Sequence, residues 1–231
     1  MSMLSDRDLI KVIREKDVVL PFLVENCKGA TIDLTLDPMV KRYKADDPII
    51  LGQEMTDNQY EKISLDRVDF WLAPNETVLI QTNEYIKVPN DKTARIYERY
   101  SIKSLGLLVS PAHYINPGYR GKISLTLTNH SSVPVKLTPG IKICQFGLFE
   151  LTSLPLAPYE KQNAKYMDAK NVSISRLHLD KEIQDFLKNQ GVKKVSDQLA
   201  HDLGEHLMSR IKKAAKELAD FAKKEYKPRN P

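Results

Sequence analysis

The spacing of apolar residues changes character three times along this chain. Near the N-terminus, Leu9, Ile10 and Ile13 recur at helical intervals, which places them on one face of a helix. Ser5 and Asp8 form an S-x-x-D pair that predicts a capping box opening a short helix to about Lys16. VVLPF (18–22) then reads as extended and is stopped by Pro21. From Thr31 to Arg176 short apolar or alternating runs take over: IDLTL (32–36), TVLIQT (77–82), ARIYE (94–98), KISLTLT (122–128), VPVKL (133–137) and IKICQFGLF (141–149). Pro-Asn at 74–75 and 89–90, Pro-Gly at 117–118 and 139–140, and Asn129 to Ser132 punctuate them. Short strands separated by turn residues at about 8–12 residue intervals predict an all-β sandwich or barrel. Residues 38–70 are polar and read as a long irregular excursion.

Residues 150–178 hold few strand signals and several polar groups, so they predict an arm laid over a surface. After Asp180 the helical period returns. Ile183, Phe186 and Leu187 predict a short helix ended by Gly191. Ser196 or Asp197 can cap a second helix, in which Leu199, Leu203, Leu207, Ile211, Ala214, Leu218 and Phe221 recur three or four residues apart. That stripe spans about seven turns, and Pro228 ends it. Such a face needs a partner surface, either the rest of the chain, other subunits of the same protein, or another protein docking along 196–226.

Composition narrows the classes. The chain has 231 residues, 42% hydrophobic and 28% charged, enough for one core plus a small appendage. No run of about 18 apolar residues predicts a membrane span. The first 17 residues scatter charges through any stretch that could serve as a leader. Two cysteines, Cys27 and Cys144, fit no C-x-x-C pattern and suit reduced thiols of a cytoplasmic protein. That scarcity argues against zinc, and the zinc deaminase signature is absent. His201 and His206 are spaced i,i+5, and neither HExxH, Walker A nor G-x-G-x-x-G occurs. The net charge is +5. Residues 212–231 carry seven Lys+Arg against three Asp+Glu, so +4 of it sits at that end. Its Lys212, Lys213 and Lys216 alternate with Glu217 and Asp220, as on a solvated helix face, which argues against a nucleic-acid role.

The informative block is 94–149. In ISLTLT (123–128), Ile123, Leu125 and Leu127 share one strand face while Ser124, Thr126 and Thr128 share the other. A polar turn, AHYINPGYRG (112–121), precedes it. Upstream, RYSIKSLG (99–106) groups Arg99, Ser101 and Lys103, charged and hydroxyl donors suited to phosphate oxygens.

In their order these pieces resemble the dCTP deaminase and trimeric dUTPase superfamily, closest to the dCTP deaminase branch with its bifunctional deaminase–diphosphatases. MLSDRDLI (3–10) is similar to the family's opening, GATIDLTL (29–36) keeps the Asp of its S-Y-D-L-x-L strand as Asp33, and NEYIKVPND (83–91) is similar to T-x-E-x-I-x-L-P. RYSIKSLGL (99–107) resembles R-S-S-L-A-R-L-G-L. YINPGYRGKISLTLTN (114–129) resembles x-I-D-P-G-F-x-G-x-I-T-L-E-L-x-N. PGIKICQF (139–146) and AKYMDAKN (164–171) follow in register. The resemblance implies a mainly β fold, a dUTPase-like distorted β-barrel of jelly-roll character with an N-terminal helix. Residues 1–179 would form that domain, with the arm at 150–179, and 180–231 a helical extension. It implies homotrimers with sites between subunits and a deoxynucleotide triphosphate, dCTP- or dUTP-like, carrying Mg²⁺ on its phosphates. By matched position Arg99 and Ser101 would hold phosphates, Gln145 the triphosphate, and Lys165 and Tyr166 the outer phosphates. Ala112 and His113 would lie along the base, and Asn116 beside the sugar.

The departures fall on the chemistry. The family's deaminase Glu aligns with Thr126, which has no acid–base function near neutral pH, and loss of such a group typically removes about 10²–10⁴-fold in rate. Asn116 replaces the Asp of I-D-P-G, Ser104 the second Arg, Tyr100 a Ser, Tyr114 a polar donor and Ala169 the arm Gln. The dUTPase Gly-rich C-terminal motif is missing. No catalytic residue is therefore assigned. The expectation is a divergent family member that binds a deoxynucleotide or a protein partner without normal deamination. The alternative is an active deaminase or dUTP diphosphatase-type hydrolase whose water is activated by His113 or Asp168.

Overall fold

The computed structural model describes residues 2–44, 48–110 and 114–225, with side chains described as far as 222. Its first helix, α1 (Asp6–Lys16), buries Leu9 and Ile13 and ends where Asp17 turns left-handed at φ 52°. Those bounds match the sequence reading, but the capping box does not form. Ser5 sits at the N-cap without a side-chain bond. Asp6 takes that work instead, its carboxylate accepting from the backbone N–H of Arg7 at 2.9 Å and of Gly29 at 3.2 Å.

Two antiparallel sheets make the body. One has six strands: β5 (Tyr60–Ser64), β4 (Met39–Tyr43), β7 (Thr77–Lys87), β11 (Arg120–Asn129) and β9 (Leu107–Val109) in that order, with β1 (Val19–Leu20) also on β7. The other orders β10 (Tyr114–Ile115), β8 (Lys92–Glu98), β13 (Lys142–Glu150), β3 (Thr31–Thr35) and β2 (Cys27–Lys28). A small ribbon pairs β6 (Trp71–Leu72) with β12 (Val135–Lys136). The result is the mainly β, dUTPase-like distorted barrel the sequence implied. Alternation works as expected along β11, where Ile123, Leu125 and Leu127 are buried and Thr126 is exposed. Ile80 and Ile86 of β7, Ile96 of β8 and Phe146 and Leu148 of β13 meet them in one core.

The excursion expected over 38–70 contains a strand pair instead, β4 against β5. Its polar sequence hid it because its charges are paired on the sheet. Arg42 lies opposite Glu61 and bonds to it, while Asp57 receives both Lys41 and Lys62 at 2.7 Å. Cross-strand opposite charges support a sheet as apolar pairs do, while Val40 and Ile63 supply the buried face.

The chain divides into two compact units, one of residues 1–45 and 57–174 and a second of 46–56 and 175–231. In the second, α3 (Lys181–Asn189) buries Ile183, Phe186 and Leu187. They pack with Val195 and Leu203, and Ile50, Leu177 and Leu207 close the cluster. No spacing or composition signal places 48–56 with this unit. Gly52 explains the fit: at φ 92°, a Cβ there meets Leu203 at 3.3 Å. The long helix α4 (Asp197–Glu225) uses only the front of its stripe in this cluster. Leu203 is 5% exposed, whereas Ile211 is 60%, Leu218 69% and Phe221 62% exposed.

Leu203→Ala is expected to cost the second unit about 2–4 kcal/mol through the cavity it leaves. Leu218→Ala is expected to stay within about 0.5 kcal/mol of the parent. Thermal unfolding followed by helix circular dichroism checks the contrast; equal losses contradict it.

Candidate functional site

The site is built from β3 upward. Asp33, in the middle of β3, is only 8% exposed. Its strand lies between β2 and β13, so the side chain opposite it is Gln145 of β13. Gln145 Nε2 donates to Asp33 Oδ1 at 3.3 Å. Arg99 arrives from the end of β8, at the start of the short helix α2 (Tyr100–Lys103), and its Nε lies 3.1 Å from the same oxygen. Its Nη1 donates to the Lys142 carbonyl at 3.1 Å. Lys142 Nζ stands 3.3 Å from Asp33 Oδ2. One near-buried carboxylate thus orients two cations and an amide from two segments, and such a charge is tolerated only because it is paired. Arg99 keeps its side chain 27% exposed, so the fixed guanidinium still faces solvent. Ser101, on α2, is exposed beside it.

Gly118 sets the second part. Asn116–Pro117–Gly118–Tyr119 is a turn closed by the Tyr119 N–H to the Asn116 carbonyl at 3.2 Å. Gly118 sits at φ 79°, a left-handed backbone that favours glycine, and a Cβ there would fall 2.7 Å from Asn90 Oδ1. Asn116 is half-buried in this turn. Beyond it, Thr126 is exposed on β11, its hydroxyl 2.8 Å from that of Ser110. The Thr126 N–H also donates to Ser110 Oγ at 2.6 Å. A hydroxyl pair thus occupies this exposed position of β11.

The arm lies along the same strand. Lys165 and Tyr166 are half-buried within it. Ala169 bridges Gly121 in parallel, and Lys122 N–H donates to the Ala169 carbonyl at 2.7 Å. Asp168 is held by Arg120 and Tyr85, both of which keep its carboxyl below the usual range, Arg120 the more strongly. A carboxylate so held is a weak base, which counts against Asp168 as a water activator. Ala112 and His113 lie outside the described residues. Arg99 and Gln145 are thus brought together through Asp33, on the five-stranded sheet. Asn116, Thr126 and the arm gather around β11, in the six-stranded one.

Sequence reasoning missed the polar contacts that join the two sheets. Glu84 of β7 is 5% exposed. It accepts from the Thr35 N–H at 2.9 Å and the Thr35 hydroxyl at 2.8 Å. Desolvation pushes its carboxyl up, against the pull of those bonds and of Lys122. Asp37, also buried, pairs with Lys122. The motif T-x-E-x-I-x-L-P pointed to Glu84 without indicating this contact. Burial also pushes the Cys27 thiol up to about 11 and the Cys144 thiol further. Both thiols are buried and free.

A family model described as dCTP deaminase-like matches residues 3–151. A dCTP deaminase, dUMP-forming, from Dictyoglomus turgidum is 33% identical over 186 residues, 77% of this chain and 95% of that protein. One from Methanobrevibacter smithii is 31% identical over 193 residues, 80% of this chain and 100% of that protein. The solved 2'-deoxycytidine 5'-triphosphate deaminase of Agrobacterium tumefaciens shares the fold, with a TM-score of 0.51 at 16% identity. That match covers 63% of this chain and 46% of that one. The chain belongs to the dCTP deaminase-like family.

Because its folded value lies above its unfolded one, Glu84 favours the folded state while protonated. That contribution is lost as pH rises through the folded value. The melting temperature of Glu84→Gln relative to the parent should therefore move in the variant's favour between pH 4 and pH 8. A gap that is constant with pH, or that moves the other way, contradicts the assignment.

Proposed function

We propose that this protein binds a deoxynucleotide triphosphate of the dCTP or dUTP kind and does not deaminate it at ordinary enzyme rates. The observation that carries this reading is Thr126. Its position on β11 matches the family's deaminase Glu, and it offers only a hydroxyl bonded to Ser110. Arg99, Gln145, Lys165 and Tyr166 are the phosphate-facing residues in this reading, with Ser101 beside them. Asn116 sits at the sugar without the charge that would orient a water. Ala112 and His113 would flank the base. In this reading the site is completed between subunits of a homotrimer, as the family resemblance implies.

Magnesium enters this reading only with the ligand. Among the described residues, no group of three or more His, Cys, Asp or Glu is placed to hold a metal. The ion would ride on the triphosphate oxygens, as Mg²⁺ commonly does, and supply charge neutralisation there. No helix among the described residues is long and apolar enough to cross a membrane. Two buried reduced thiols suit a cytoplasmic setting.

Purified protein incubated with dCTP and Mg²⁺, and separately with dUTP and Mg²⁺, is expected to return each nucleotide unchanged on chromatography. Conversion of dCTP to dUTP or dUMP at ordinary enzyme rates overturns the proposal and restores the active alternative.

A further inference from the structure

The arm is tied down at two points by a single side chain. Arg120, the first residue of β11, reaches Asp168 with two nitrogens: Nε to Oδ1 at 3.1 Å and Nη2 to Oδ2 at 3.1 Å. Its third nitrogen, Nη1, lies 3.4 Å from Glu160 Oε2. Glu160 and Asp168 bracket the loop that carries Lys165 and Tyr166. Tyr85 of β7 adds a third tie, donating its hydroxyl to Asp168 Oδ1 at 2.7 Å. The backbone confirms the register, with the Asp168 N–H donating to the Arg120 carbonyl at 2.7 Å. Gly121 permits this approach, since a Cβ there lies 2.9 Å from the Ala169 nitrogen. Asn163 at φ 53° and Asp168 at φ 54° fold the loop back on itself.

We infer that Arg120 is a positioning residue that clasps the arm before any ligand is present. Bidentate guanidinium–carboxylate geometry fixes both distance and orientation. Lys165 and Tyr166 are therefore held in place by the chain's own charges, without waiting for phosphate to order them. A loop ordered in advance loses less freedom when a ligand arrives. The inference rests on the proposed nucleotide site for its use, but the clasp itself is a property of the free protein.

Hydrogen exchange of the free protein, read by mass spectrometry over the 159–170 segment, tests the clasp. Arg120→Ala and Asp168→Asn should each speed exchange there about fivefold, the scale of an exposed ion pair with good geometry. Peptides covering β7 and residues 123–129 should exchange as in the parent, which shows that the barrel is folded. Arg120→Lys keeps the charge without the fork and should fall between. Exchange unchanged from the parent in both Arg120→Ala and Asp168→Asn overturns the inference. No nucleotide is needed, so a protein that bound none would end the proposed function and leave this result standing. If nucleotide binds, Arg120→Ala should weaken it at unchanged melting temperature; a fall in melting temperature with no change in affinity would mark Arg120 as merely structural and overturn its positioning role.

Discussion

A carboxylate in the interior of a sheet survives only if its surroundings replace the water it gave up. Asp33 meets that condition with Arg99, Lys142 and Gln145. These come from the end of β8 and from β13, so satisfying one charge aligns β3 with β13 and fixes where β8 hands over to α2. Removing any one partner leaves the others to hold a near-buried charge, which is why such a group acts as a unit. The same contacts immobilise a guanidinium at the end of β8 and an amide on the central strand β13. Structure and proposed recognition therefore share one constraint.

The six-stranded sheet carries position 126 on β11. β11 alternates as a buried strand should, and this alternation puts position 126 on the open face whatever side chain it bears. Thr126 offers a hydroxyl there, bonded to that of Ser110. Gly118 is required by its left-handed backbone and Gly121 by the close approach of the arm. A barrel can keep its geometry while a side chain on its open face changes, because fold and reaction depend on different residues.

Much of this was legible in the residues. Strands with strong alternation, such as 123–128, and the helix at 6–16 stand where the pattern put them, although the predicted capping box does not form. Asp33, Arg99 and Gln145 were found because motifs in register pointed to them. The strand pair β4 and β5 was not, because Lys41, Arg42 and Glu61 look like a solvated loop until their partners across the sheet are known. Nor could spacing reveal that Gly52 packs on Leu203, a contact between segments about 150 residues apart. Nothing in the residue pattern singled out Arg120; only the fold sets it between Glu160 and Asp168.

In the proposed function, placed residues rather than bulk charge hold the triphosphate. Calorimetric titration of dCTP with Mg²⁺ into the parent and into Arg99→Ala distinguishes the two. Saturable binding by the parent and about tenfold or greater weakening in the variant are expected, the scale of a lost charge-assisted contact. Equal affinity in the two proteins, or no binding by the parent, would contradict that reading.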